Sequence, residues 1–179
     1  KIEVRIPLND IDAPESPDFS PDGKLIVFSG MQRADADIFT IDLETKELKN
    51  LTHDPLAHYS PTWSPDGRSI VYLTRVSGNE KLYRMNADGS DQQQITFGTH
   101  DEGGAQFWDA DTIVFASTAV NPAEPIDPDV SRNGQIYNLW TLNFKTNELK
   151  QYTDALTGNL SPVVLRDGSS VRLAFVTYL

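Results

Sequence analysis

The chain has 179 residues, with 15 lysines and arginines against 26 aspartates and glutamates, a net charge of −11 and no cysteine. The absence of cysteine excludes disulfides and cysteine-based nucleophiles or metal sites. The acidic balance argues against nucleic acid or anionic lipid as a partner, because both require a basic surface. An apolar fraction of 39% is enough for a folded core, and no apolar run is long enough to cross a bilayer.

The predicted elements form a repeating series along the chain. The first is a strand over residues 1–8, in which isoleucine and valine alternate with charged residues. Ser16–Gly23 then reads SPDFSPDG and precedes an apolar run, and the same pattern returns as SPTWSPDG at Ser60–Gly67. A degenerate third copy begins at Gly104 and a fourth at Ser161. The aromatic residues of the first three copies, Phe19, Trp63 and Phe107, stand 44 positions apart.

The second half of each unit repeats as well. An aromatic residue holds a fixed place in a predicted third strand, and each unit closes on a threonine; the aromatics are Phe39, Tyr83 and Trp140, and the threonines are Thr52, Thr96 and Thr153. A period in the forties made of short strands and turn signals is typical of a β-propeller. The sequence therefore predicts an all-β fold in which each repeat is one four-stranded antiparallel blade.

Two features of a single unit support this interpretation. In the Ser-Pro-Asp-Gly turn, proline presets φ, aspartate hydrogen-bonds the backbone two residues on, and glycine accepts a positive φ. The following strand is apolar on consecutive residues, as in residues 70–73, which is the pattern of a strand buried on both faces. Val71 and Val114 are predicted to occupy equivalent core positions in two neighbouring blades.

The Ser-Pro-x-aromatic-Ser-Pro-Asp-Gly motif, the apolar strand and the closing threonine together resemble the repeats of TolB-like propellers, over about residues 8–178. Such propellers have six or more blades, so the resemblance implies a segment of a larger propeller protein. We expect about three complete blades and two partial flanking ones: complete at 16–52, 60–96 and 104–153, partial at 1–8 and 160–179. The shared residues belong to turns and core, and none carries over as catalytic or ligand-binding.

One repeat departs from the others. The interval from Phe107 to Val164 is 57 residues, 13 more than the unit, and the excess falls at about 118–134, between the second and third strands. In a propeller that connection leaves the blade at the same end as the connections between blades, which hold all three histidines. Binding residues concentrate in loops on rigid scaffolds. The candidate binding residues of this face are His58, His100, Asp101, Glu102, Asp127 and Asp129, and the alternative is a variable surface insertion.

Metal and catalytic sites are not expected. Residues 127–133 have the alternating oxygen ligands of a calcium loop, but Arg132 stands where the required glycine belongs and no glutamate closes the loop. The three histidines occupy different repeat positions, which disfavours a transition-metal site. The chain has no Gly-x-Ser-x-Gly elbow, phosphate loop or dinucleotide-binding pattern. We therefore expect no catalytic residue, no metal and no cofactor in this chain.

Two classes of function fit the sequence. The first is a non-enzymatic scaffold of the bacterial cell envelope, periplasmic or extracellular, which binds a protein or peptide on the inter-blade loop face. The second is an accessory propeller that controls substrate access in a larger hydrolase of the peptidase type, with the catalytic domain outside this chain. In either case we expect the remaining blades of the same parent chain as partners, with no nucleic acid and no membrane insertion.

Overall fold

The computed structural model describes residues 5–32, 35–119, 136–154, 158–168 and 170–177. Within these ranges the chain folds into three four-stranded antiparallel sheets and one two-stranded sheet. The first blade comprises β1 (Asp12–Phe19), β2 (Leu25–Gln32), β3 (Asp35–Asp42) and β4 (Leu48–Asn50). The second comprises β5 (His58–Trp63), β6 (Ser69–Val76), β7 (Asn79–Asn86) and β8 (Gln93–Gln94). The third comprises β9 (Glu102–Phe107), β10 (Thr112–Ser117), β11 (Asn138–Asn143) and β12 (Leu149–Gln151), and the two-stranded sheet comprises β13 (Asn159–Asp167) and β14 (Ser170–Thr177).

The strands of each sheet pair in sequence order, and each sheet packs on the next one along the chain. A series of four-stranded meanders stacked face to face is the architecture of propeller blades. The predicted fold class, a partial β-propeller of four-stranded antiparallel blades, is confirmed. Residues 5–8 are not in a strand; Ile6 and Leu8 instead pack on the outer face of the first blade.

The second strand of each blade is buried on both faces, as predicted. Ile70 and Tyr72 belong to the core between the first and second blades, whereas Val71 belongs to the core between the second and third. This follows from the pleat, which directs successive side chains to opposite faces. Val71 pairs with Thr62 and Arg84, Val114 pairs with the corresponding residues of the third blade, and both valines are fully buried. Their predicted equivalence is confirmed.

The threonine that closes each repeat has the same contact in all three blades. Its hydroxyl oxygen accepts a hydrogen bond from a backbone N–H of the third strand: Thr52 from Ile38 at 3.0 Å, Thr96 from Leu82 at 2.9 Å and Thr153 from Leu139 at 2.9 Å. The fourth strand is too short to supply a backbone acceptor there. The threonine side chain therefore completes the ladder, since an unpaired buried N–H is costly.

The Ser-Pro-Asp-Gly turns form as predicted. The Ser64 hydroxyl donates to Asp66 Oδ1 at 2.6 Å and accepts from the backbone N–H of Ser69 at 2.9 Å. Gly67 has a φ of +70°, which residues with a Cβ rarely adopt, and its N–H donates to the Ser64 carbonyl at 2.9 Å. These bonds are all made within a few residues, so the turn is encoded locally.

The first strand of three of the four sheets, namely β1, β5 and β13, contains an irregularity at a Ser-Pro pair. Ser16, Ser60 and Ser161 have φ values of 51°, 49° and 53°, and the pairing register shifts beside each of them. Proline follows each serine and has no N–H to pair with the neighbouring strand, which favours a bulge at that point. The first strands of all four sheets, β1, β5, β9 and β13, line a common cavity of about 370 Å³.

Candidate functional site

Alternate connections of an antiparallel meander lie at opposite ends of the blade. We use two names for these ends. The turn end consists of the connections within residues 20–24, 43–47, 64–68, 87–92, 108–111 and 144–148. The loop end consists of the described connections within residues 51–57, 77–78, 95–101, 118–119 and 152–154, together with 9–11 before β1. Four predicted site residues lie at or next to the loop end, namely His58, His100, Asp101 and Glu102. Asp127 and Asp129 lie outside the described residues.

His58 is the first residue of β5 and is 1% exposed. Its Nε2 lies 3.1 Å from Asp54 Oδ1 and its Nδ1 lies 2.9 Å from Thr74 Oγ1. A carboxylate can only accept, so in the neutral ring Nε2 carries the proton and Nδ1 accepts from the Thr74 hydroxyl. Both ring nitrogens are therefore engaged, and the imidazole holds the β4–β5 connection against β6.

Asp101 ties together three connections of the loop end. Its carboxylate accepts from the backbone N–H of Glu80 at 3.0 Å, in the β6–β7 hairpin. Its own N–H donates to Thr118 Oγ1 at 2.9 Å, and its carbonyl accepts from the Thr118 N–H at 3.0 Å. The β8–β9 connection is thereby fastened both to the preceding hairpin and to the start of the β10–β11 connection. The side chain is half-buried and stays partly accessible.

Glu102 forms a buried ion pair with a residue of the neighbouring blade. Glu102 and Lys81 are each 2% exposed, and Lys81 Nζ lies 3.3 Å from Glu102 Oε1. Burial raises the pKa of the Glu102 carboxyl, although the nearby Ser117 hydroxyl and the Lys81 ammonium act in the opposite direction. The second carboxylate oxygen, Oε2, is buried and has no hydrogen-bond partner among the described residues.

His100 lies two residues before Glu102 and is half-buried. Its backbone carbonyl accepts a hydrogen bond from the Lys81 ammonium. Its ring packs against Gly98, where a Cβ would lie 2.9 Å from two ring atoms, so the close approach requires glycine. Burial and, secondarily, the Lys81 charge lower the pKa of the imidazole, which favours the neutral ring at neutral pH.

The described residues, which include all three histidines, contain no group of three His, Asp or Glu side chains arranged to hold a metal ion. His58 uses both ring nitrogens in bracing, which is consistent with this. The calcium-like spacing at residues 127–133 lies outside the part of the chain that the structure describes.

Sequence reasoning did not identify Lys81 or Asp54 as site residues, although a repeat comparison offers a signal for Lys81. The equivalent positions in the first and third blades hold Asp37 and Asn138, so a polar residue stands two positions before the aromatic residue of the third strand each time. Asp37 binds the closing Thr52 hydroxyl at 2.9 Å, and Asn138 accepts from the closing Thr153 hydroxyl at 2.9 Å. The second blade alone places a lysine there and pairs it across the blade interface.

The repeats, the stacked meanders and the two ends define a propeller module built from Ser-Pro-Asp-Gly blades. The family model described as the TolB beta propeller domain matches residues 12–126, and the chain belongs to this family. The described residues contain no helix with the length and apolar character that a membrane span requires.

Solved structures share the fold. TolB from Acinetobacter baumannii is 21% identical, with a TM-score of 0.66 over 93% of this chain and 41% of that chain. TolB from Agrobacterium tumefaciens is 23% identical, with a TM-score of 0.64 over 78% of this chain and 48% of that chain. The oligogalacturonate lyase of Vibrio parahaemolyticus is 19% identical, with a TM-score of 0.66 over 97% of this chain and 49% of that chain. The chain thus spans less than half the length of these proteins.

Proposed function

We propose that the protein is a non-enzymatic propeller scaffold of the bacterial cell envelope, periplasmic or extracellular, that binds a protein or peptide at its loop end. The observation that carries the proposal is the cross-bracing of this end. Asp101 connects three loops, and the Asp54–His58–Thr74 chain connects a fourth to β6. Loops held in this way are preorganised, which reduces the entropy lost when a partner binds.

The charges of the loop end indicate the kind of partner. Asp10, Asp54 and Asp154 are exposed there, whereas Lys81 is buried and already paired with Glu102. An acidic, ordered surface complements a basic or polar partner, and rim charges of this kind act mainly on the association rate and on its salt dependence. We therefore expect binding to weaken as ionic strength rises.

The candidate residues divide by role in this proposal. His100 and Asp101 are partly accessible and are the side chains that would contact a partner. His58 and Glu102 are buried and support the surface from below. Asp127 and Asp129 are included on sequence grounds alone, as part of the acidic insertion.

The proposal is tested by reversing charge at one end of the blades at a time in the intact protein. Asp10→Lys with Asp154→Lys changes the loop end, and Glu44→Lys with Glu148→Lys makes the same charge change at the turn end. Cross-linking in the periplasm followed by mass spectrometry identifies the partner of each form. We expect the loop-end variant to lose a partner that the wild type and the turn-end variant retain. Loss with the turn-end variant alone would contradict the proposal.

The second candidate is an accessory propeller of a larger hydrolase. It is favoured by the likeness to puromycin hydrolase, which is 16% identical with a TM-score of 0.65 over 90% of this chain but only 24% of that chain. The complete reading frame discriminates the two candidates. A hydrolase domain in the same polypeptide, with hydrolysis that changes when the loop end is mutated, would favour this second role.

A further inference from the structure

The interface between the second and third blades contains a cavity of about 250 Å³. It lies towards the outer edge of the two blades, between the chain that leaves β8 and the strands β10, β11 and β12. Its walls are largely apolar and include Ile95, Phe97, Phe115, Trp140, Leu142 and Leu149. Phe97 is 67% exposed and Leu149 is 51% exposed, so large apolar side chains stand where the cavity meets solvent.

Two buried polar atoms on the residues lining this cavity make no hydrogen bond among the described residues, although the Ser117 hydroxyl, which also lines the cavity, lies near the Glu102 carboxylate. One is Oε2 of Glu102, an acceptor when the carboxyl is ionised, and the other is Nε1 of Trp140, a donor. Glu102 and Trp140 are 2% and 4% exposed. A buried polar group without a partner costs free energy, so both atoms favour a molecule that bonds to them.

The strand register places both residues on one face of the third blade. Glu102 pairs with Ser117, and Trp140 pairs with Phe115. Ser117 and Phe115 are two residues apart on β10, and Glu102 and Trp140 flank β10 on opposite sides, so the Cα atoms of Glu102 and Trp140 are about 11 to 12 Å apart. Both residues line the same cavity, so a small molecule bound there lies between their side chains.

The charges around the cavity determine what kind of molecule fits. Lys81 already pairs with Glu102 through Oε1, so a charged ligand would add an uncompensated buried charge. A neutral carboxamide is a better match, because its NH₂ group donates to Oε2 while its carbonyl accepts from Nε1. The cavity is smaller than the range of about 300 to 1,000 Å³ typical of drug-sized ligand pockets, so the ligand is of fragment size.

We propose that this inter-blade cavity is a binding site for a small neutral amide that carries a short aliphatic chain. The amide group bonds to Glu102 and Trp140, and the aliphatic chain packs against Phe97, Leu142 and Leu149 near the cavity mouth. The site lies between two blades and shares His100 and Glu102 with the loop end, but its ligand is a small molecule and differs from the protein or peptide proposed to bind there.

The test uses pentanamide as the probe and the intact protein labelled with ¹⁵N at its three tryptophan indoles. The Trp140 Nε1–H resonance is assigned from the Trp140→Phe variant. We expect this resonance to shift saturably with pentanamide, with a Kd on the order of 1 mM, while the Trp63 and Trp108 resonances do not move. Pentanoate and pentylamine, which have the same chain length but carry a charge, are expected to bind at least about tenfold more weakly. A Trp140 signal that does not respond, or that responds equally to all three probes, overturns the proposal.

Matched variants separate the site from general effects on the fold. Glu102→Gln removes the free carboxylate acceptor and is expected to weaken pentanamide binding about tenfold. Because this variant disturbs the ion pair with Lys81, Phe97→Ser provides a second test at an exposed position. Phe19→Ser is its control, since Phe19 is also exposed, at 61%, but lies on the outer face of the first blade. Weaker binding in Phe97→Ser with unchanged binding in Phe19→Ser supports the site, and equal affinity in the two variants overturns it.

Discussion

The two ends of the blades use polar side chains in different ways. At the turn end, Asp22, Asp42, Asp66 and Asp88 each hydrogen-bond partners two or three residues away, and these bonds lower the pKa of every one of the four carboxyls. At the loop end, Glu102 and Asp101 have partners 21 residues away, on the neighbouring blade. Local bonds can recur in each repeat, whereas bonds between blades depend on both neighbours and are specific to one interface.

The largest effect is expected from breaking the contact between blades at the loop end. Lys81→Met leaves the Glu102 carboxylate buried without its counter-charge, which costs about 3 to 5 kcal/mol of unfolding free energy near neutral pH. Burial already raises the folded-state pKa of Glu102, and the variant also lacks Lys81, which lowers that pKa in the wild type. The carboxyl of the variant therefore takes up a proton more readily as pH falls. A group whose pKa is raised in the folded state stabilises the fold at low pH, and this stabilisation is lost as the pH rises through the folded-state pKa. The loss should therefore be smaller at about pH 5.

Urea unfolding at the two pH values measures this difference. Lys49→Met is the control, since Lys49 is exposed and bonds only a backbone carbonyl, that of Asp88, at 2.6 Å. We expect little change in the control at either pH. An equal loss for Lys81→Met at both pH values would show that the buried ion pair is not the source.

An intermediate effect is expected at the turn end. Ser64 is a fully buried residue of the turn, and its hydroxyl accepts a hydrogen bond from the Ser69 N–H. Ser64→Ala removes this acceptor and should lower the free energy of unfolding by about 1 to 2 kcal/mol. Ser20 makes the equivalent bonds in the first blade, to Leu25 at 2.9 Å and Asp22 at 2.7 Å. Chemical denaturation of Ser20→Ala and Ser64→Ala should give similar losses. Markedly different values would contradict the view that turn-end chemistry is local.

A smaller effect on stability is expected from Asp66→Asn, and its dependence on pH is opposite to that expected for Glu102. The Ser64 hydroxyl lowers the pKa of the Asp66 carboxyl below its usual 3.8, so its contribution to stability is present above that value and is lost as pH falls through the folded pKa. The carboxyl is largely exposed and screened by solvent, so the contribution stays below about 1 kcal/mol. Stability measured from pH 5 downward should fall less steeply in the variant. An unchanged slope would exclude Asp66 from the acid response.

The smallest effect is expected from Glu47→Ala, on the β3–β4 turn. Glu47 is exposed, and the turn uses its backbone carbonyl, which accepts from the Asp42 N–H at 3.0 Å. Thermal or urea unfolding should change by less than about 0.5 kcal/mol. A loss as large as that of Ser64→Ala would mean that turn-end side chains matter through more than their local hydrogen bonds.

The sequence by itself determined the blade architecture, because the features that specify it lie close together in the chain. The Ser-Pro-Asp-Gly turn closes through bonds within five residues, and consecutive apolar residues such as Val71 and Tyr72 predict a strand with two buried faces. The repeat distance of 44 residues then places each unit in its own blade. Local hydrogen bonds and the pleat of a strand need no knowledge of the rest of the fold.

Only the tertiary structure decided which polar residues of the loop end are accessible. The sequence grouped His58 and Glu102 with surface binding residues, but both are buried, one against Asp54 and Thr74 and the other against Lys81 of the neighbouring blade. The inter-blade cavity is also invisible in the sequence, because its walls come from separate strands of two blades. Burial and cavities depend on how two packed surfaces fit together, and a one-dimensional pattern that describes each surface separately does not contain that fit.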